Sequence, residues 1–79
     1  MKTTKYFDFR RKQRDRKNIR NKWIQRVVDS PLHKEVQSDG RIKVWGGIEE
    51  ANKYLRVILL EDGETVPNAF FDRAFKGDG

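Results

Sequence analysis

The chain has no cysteine and a single histidine, His33, in 79 residues. Without cysteine no disulfide can staple the fold and no thiolate metal site can form. One histidine does not build a His-based zinc site alone, so neither a metal nor another cofactor is expected. The lack of cysteine fits a reducing cytosol. No apolar run approaches the roughly 18 residues that span a bilayer. Met1-Lys2 leads into polar residues, not into a signal peptide. A cytoplasmic chain without membrane contact is the expectation. The length predicts one domain, residues 1–79. A chain this short buries only about 60% of its extended surface and is marginal alone. A protein ligand or a second subunit is therefore expected, a homo-oligomer included.

Acidic residues are scarce in one half. Residues 1–26 carry eleven Lys/Arg against Asp8 and Asp15, a net of +9. Residues 27–79 carry seven Lys/Arg against ten Asp/Glu, a net of −3. A basic arm on a nearly balanced body points to a polyanion, to an acidic protein, or to both.

What is present reads as one helix followed by strands. Phe7 and Phe9 alternate in a manner compatible with a short edge strand. Residues 1–17 form a basic arm whose densest part, residues 10–17, reads as loop, helix start or disorder. Asp15 or Asn18 is placed to cap a helix over residues 18–30. Ile19, Trp23 and Val27 recur at i, i+4 and i+8 there, with Ile24 and Val28 beside them, an apolar stripe on one helix face. Trp23 on that stripe reads as core. Ser30-Pro31 ends the helix, because the residue before proline is pushed out of the α region.

An antiparallel meander is predicted over residues 35–73, with a polar tail over 74–79 that frays. Residues 32–38 read weakly as a strand, and Asp39-Gly40 as a turn. In residues 41–45, Ile42 and Val44 share one face, and Arg41, Lys43 and Trp45 the other. Gly46-Gly47 is expected to break that strand. Residues 53–60 and 65–71 read as a hairpin around Asp62-Gly63, a type I′ signal. With those two as the loop, Leu60 pairs with Thr65, Ile58 with Pro67, Arg56 with Ala69 and Tyr54 with Phe71. One face then carries Leu55, Val57, Leu59, Val66, Asn68 and Phe70, the expected core. The other carries Tyr54, Arg56, Ile58, Thr65, Pro67, Ala69 and Phe71. A proline inside a strand also implies an edge position or a bulge at 67.

Trp23, Pro31, Gln37-x-Asp39-Gly40-Arg41-Ile42, Trp45, Tyr54-Leu55-Arg56-Val57, Glu61-Asp62-Gly63-Glu64-Thr65 and Asn68-Ala69-Phe70-Phe71-Asp72-Arg73 resemble a group of small bacterial proteins of unassigned function. That group is similar in size, element order and basicity to the RelE/ParE-like toxins. The resemblance covers roughly residues 23–76. It implies an α+β fold, an N-terminal helix on a small antiparallel sheet of three to four strands. It also implies the toxin of a type II toxin–antitoxin pair, a metal-independent ribonuclease (mRNA interferase) acting on RNA, ribosome-bound mRNA included. Its partner would be an acidic antitoxin. A histidine stands in that group where this chain has Pro67. The departure removes a titratable group and implies a weakened or inactivated copy.

Metal-free RNA cleavage needs a base for the 2′-OH, cations for the phosphorane's charge and an acid for the leaving oxygen. Arg56, Lys43, Arg41 and Arg73 are the candidate cations, with Pro67 at the position of the missing acid or base. Arginine suits phosphate because its planar fork donates two parallel hydrogen bonds. Trp45, Tyr54 and Phe71 are candidates for stacking a base, and Arg10, Arg11, Arg14 and Arg16 for holding the backbone. Each has a plainer reading. Arg56 would be ion-paired or solvated, Asp72 and Arg73 would pair or end a strand, and Trp45 would pack over the sheet edge. His33 would be a surface histidine, with catalysis its alternative, and Glu35 or Asp72 would be a carboxylate base. Two non-enzymatic readings stand beside the nuclease: an RNA-, DNA- or ribosome-binding module, and a basic module that binds an acidic protein.

Overall fold

The computed structural model describes residues 2–12 and 19–75. The apolar stripe becomes helix α2, Asn21–Asp29, while the N-terminal segment supplies a short helix α1, Lys5–Arg10. The strands are β1 (Lys2–Thr3), β2 (His33–Val36), β3 (Ile42–Ile48), β4 (Lys53–Leu59), β5 (Thr65–Val66) and β6 (Asn68–Phe71). Four of them form an antiparallel sheet in the order β2-β3-β4-β6. The other two, β1 and β5, pair in parallel. The protein is therefore a small α+β fold with a helix on a four-stranded antiparallel sheet.

Helix α2 buries Trp23, Ile24 and Val27 against β3 and β4. Its start has no side-chain cap; the Arg20 carbonyl accepts from the amides of Trp23 and Ile24 instead. It ends at Ser30, whose ψ of 70° is non-helical, directly before Pro31. The candidate caps Asp15 and Asn18 lie outside the described residues. Beneath the helix lie Val44, Ile48, Leu55, Val57 and Leu59, joined by Phe7, Ile19, Val66 and Ala69.

The N-terminal segment corrects the edge-strand expectation. Thr4 takes an extended N-cap conformation, and its hydroxyl accepts from the Phe7 amide at 3.1 Å, which starts a helix. Residues two apart on a helix point to nearly opposite sides. Phe7 is thus fully buried while Phe9 is 63% exposed. Only Lys2 and Thr3 pair as a strand, with Thr65 and Val66.

Gly46-Gly47 does not break β3, which runs through both to Ile48. Gly46 is a close-approach residue. A Cβ there would lie 2.8 Å from Cγ2 of Val27, so the missing side chain lets α2 settle on the sheet. The ring of Tyr54, across from Gly47, lies beside the second glycine.

The last hairpin departs from the expected register in an instructive way. Its loop is residues 61–64, not Asp62-Gly63 alone. The Gly63 amide donates to the Leu60 carbonyl, and Gly63, with φ of 72°, is the left-handed residue of that loop. The Leu60 amide still donates to Thr65, as expected. Two residues later, however, Ile58 pairs with Asn68 and not with Pro67. Leu59 faces both Val66 and Pro67, a one-residue β-bulge at the proline, which has no N–H to give a ladder. A slip of one residue turns every later side chain to the other face. Ala69 and Phe71 therefore point to the helix side, opposite Val57 and Leu55, and Asn68 and Phe70 point outward.

Candidate functional site on the outer sheet face

The face of the sheet away from the helices is organised in rows by the strand register. One row runs across all four strands: His33 opposite Trp45, Trp45 opposite Arg56, Arg56 opposite Phe70. The adjacent row is Glu35, Lys43, Ile58 and Asn68. On the other side Gly47 faces Tyr54. Alternation alone puts these side chains together, because each strand shows every second residue to this face.

The chain after β6 covers the centre of the face. The Asp72 amide donates to the Tyr54 carbonyl. One Asp72 carboxylate oxygen accepts from the Trp45 indole N–H at 3.0 Å and from the Arg56 guanidinium at 3.0 Å. The other accepts from the Ala74 amide at 3.0 Å. These donors, the Trp45 indole first, hold the Asp72 carboxyl below the usual range against the opposing effect of burial. The Arg56 guanidinium also sits over two rings, Trp45 at 5.2 Å and Phe70 at 5.0 Å. Phe75 then lies flat on Trp45, ring centres 5.3 Å apart and planes 11° apart. It meets Tyr54 edge-on at 5.3 Å and His33 at 6.1 Å. Within the predicted tail, Phe75 packs on this face, while residues 76–79 lie outside the described residues.

At the β2 edge of the same face, His33 Nε2 and a Glu35 carboxylate oxygen are 2.9 Å apart. The His33 ring is 5.3 Å from Trp45. Both acid–base candidates are about half exposed, so they are open to a ligand. Lys43 lies opposite Glu35 in the next row. The arrangement offers a hydrogen-bonded imidazole–carboxylate pair, a nearby ammonium and a planar aromatic floor.

The sequence-predicted residues divide. Arg56, Lys43, Trp45 and Tyr54 share the outer face. Trp45 packs within that face and is only 4% exposed, apart from the core beneath the helix. Phe71 is corrected to the helix side, where its ring centre is 6.3 Å from that of Trp23. Pro67 lies in the bulge and is not opposite Ile58, whose partner is Asn68; Arg56 faces Phe70 and not Ala69. Arg41 stands in the β2–β3 turn, its amide bound to Asp39 and its guanidinium 3.9 Å from the same carboxylate. Arg73 is exposed in the turn after β6. Arg11 lies over the buried Phe7 ring at 5.0 Å and bonds to Asn21, so the described end of the basic arm belongs to the helix side. Arg10 ends α1. Arg14 and Arg16 lie outside the described residues.

Asn68 and Phe70, expected on the core face, are corrected to this outer face by the bulge, and Phe75 and the surface histidine His33 join them there. An Asp39-Gly40 two-residue turn extended backward pairs His33 with Gly46; the loop is instead residues 38–40, closed by the Gln37 amide on the Arg41 carbonyl, and that one-residue shift puts His33 opposite Trp45. The signal for Phe75 was an aromatic residue in an otherwise polar tail. Among the described residues no group of three or more His, Asp or Glu is placed to hold a metal ion. No described helix is long and apolar enough to cross a membrane. No family model, curated protein or solved structure matches the chain.

Proposed function

We propose that this chain is an RNA-directed protein that works through the outer sheet face, with the metal-independent endoribonuclease chemistry of RelE/ParE-like toxins. The observation that carries the reading is the His33–Glu35 pair, 2.9 Å apart, set beside Trp45 on the same face as Lys43 and Arg56. In such a reaction His33 takes the 2′-OH proton, with Glu35 orienting its ring and stabilising the imidazolium. The 2′ oxygen attacks phosphorus, and Lys43 faces the charge that builds on the phosphorane. The imidazolium or a water then protonates the departing 5′ oxygen, leaving a 2′,3′-cyclic phosphate. Tyr54, and Trp45 once Phe75 has moved off it, hold a base by stacking. The +9 of residues 1–26, whose described end lies on the helix side, suits a phosphate backbone or an acidic antitoxin that reaches beyond the outer face.

A non-enzymatic RNA-binding module is the second reading. Two observations favour it: Arg56 is already engaged by Asp72 at 3.0 Å, and Pro67 stands where the resembling group has histidine. The test is induced expression of the chain, of Pro67→His and of His33→Ala, with growth and RNA integrity followed. The nuclease reading expects the chain or Pro67→His to slow growth and cut RNA. It also expects His33→Ala to lower cleavage by about 10²-fold or more. If neither of the first two cuts RNA or slows growth, the nuclease reading fails. RNA binding that persists in that case supports the module.

A further inference from the structure

We infer that the Phe75 ring fills a nucleobase site built by Trp45, Tyr54 and His33, and that an unpaired base of single-stranded RNA competes with it for Trp45. The inference rests on reading the outer face as an RNA-contacting surface and adds how that surface is regulated.

Three features single out Phe75 as an occupant. Its ring lies nearly parallel to Trp45, 11° between planes with centres 5.3 Å apart, an offset stack of the kind a base can also form on an aromatic side chain. The other rings around it are Tyr54 at 72° and His33 at 35°, which close the sides of a slot. It is also held by a turn and not by the ladder. Residues 73–75 belong to no strand; the Asp72 amide donates to the Tyr54 carbonyl, and the Ala74 and Phe75 amides both donate to the Asp72 carboxylate. Lifting Phe75 away therefore breaks a turn and leaves the sheet ladder whole. It uncovers the Trp45 ring, only 4% exposed with Phe75 in place, beside a polar rim of His33, Arg56 and the Asp72 carboxylate that pairs with Arg56. The π-face suits a base, and stacking tolerates any base.

The experiment compares the full chain with Phe75→Ala and Phe75→Leu, the latter keeping an apolar cover without a π-face. A short labelled oligoadenylate RNA is titrated at fixed salt, with affinity from anisotropy and indole emission recorded together. Thermal unfolding is measured on each variant. The expected result is about tenfold tighter binding for either variant, with indole emission quenched as the base stacks on Trp45. Unchanged or weaker binding in both variants would overturn the inference. So would a tighter complex without quenching, which locates the gain elsewhere, or loss of folding in both, which makes Phe75 a structural cover. The readout is binding, so it separates from cleavage. A chain that binds as expected but never cuts RNA retires the nuclease and keeps the slot; one that cuts RNA without tighter Phe75 variants does the reverse.

Discussion

The two faces of the one sheet are packed by different physics. The helix side is apolar: Val44, Leu55, Val57 and Leu59 share one core with Ile24, Val27, Phe7 and Trp23, and among the described residues no polar or charged one is buried. Such packing is non-directional and scales with buried apolar area. The outer side is aromatic and charged. Trp45, Arg56, Asp72 and Phe75 are held by hydrogen bonds, an ion pair and ring stacking, which demand particular angles and distances. Strand alternation sends alternate residues of the same strands to the two faces. The first face holds the chain together, and the second sets particular side chains at fixed distances and angles.

The sharpest way to test that division is to cut into the helix side. Leu55→Ala removes a side chain with no exposure at the centre of the core. It should cost about 2–5 kcal/mol in denaturant unfolding, enough to unfold a marginal domain. A cost below 1 kcal/mol would show that this face is not the main support.

Next comes the close approach of α2. Gly46→Ala places a methyl 2.8 Å from Val27, and should cost about 1–3 kcal/mol by overpacking. Val27→Ala in the same chain should recover part of that loss, a coupling that a double-mutant cycle measures. Independent, additive effects would contradict the contact.

On the outer face the expected effect is smaller and local. Asp72→Asn removes the charge that faces Arg56 and should cost about 1 kcal/mol, discounted because Arg56 is 26% exposed. Indole emission should change while the helical signal stays. Loss of the whole fold would show that the two faces are not separable.

The smallest effect is a pH dependence in the loop that joins β4 to β5. The Thr65 hydroxyl, then the amides of Glu64 and Thr65, lower the Asp62 carboxyl from 3.8 to about 2. A depressed carboxyl stabilises the fold above its unfolded value and loses that contribution as pH falls toward 2. Unfolding temperature should thus fall between about pH 4 and 2, and fall less in Asp62→Asn. Parallel pH curves for the two chains would remove Asp62 from the account.

Much of the helix side was legible in the sequence. The Ile19–Trp23–Val27 stripe and the Ser30-Pro31 stop gave α2 to within a few residues. The alternation in residues 41–45 and 53–60 placed Val44, Leu55, Val57 and Leu59 on one face. These signals are local periods, readable one strand at a time. The outer face was legible only on β3 and β4, where Lys43, Trp45, Tyr54 and Arg56 alternate cleanly. Its remaining members depend on how distant segments meet. Phe70 and Phe71 look equivalent in a list, and a single bulged residue at Pro67 decides which one faces Arg56. His33 joins the row through the register of β2 on β3, and Phe75 through the turn that Asp72 organises.

The amino-acid sequence by itself determined the class of fold, the position of α2, the faces of β3 and β4 and the concentration of positive charge in residues 1–26. Each is a matter of residue type and spacing along a short stretch. Only the tertiary structure decided that Phe7 enters the core from a helix, that β3 runs through Gly46-Gly47 beneath Val27, and that β6 turns over after Pro67. It also decided that Phe75 comes to rest on Trp45. Those outcomes depend on close approach, backbone hydrogen bonding and register between segments far apart in the chain, and no local period carries that information.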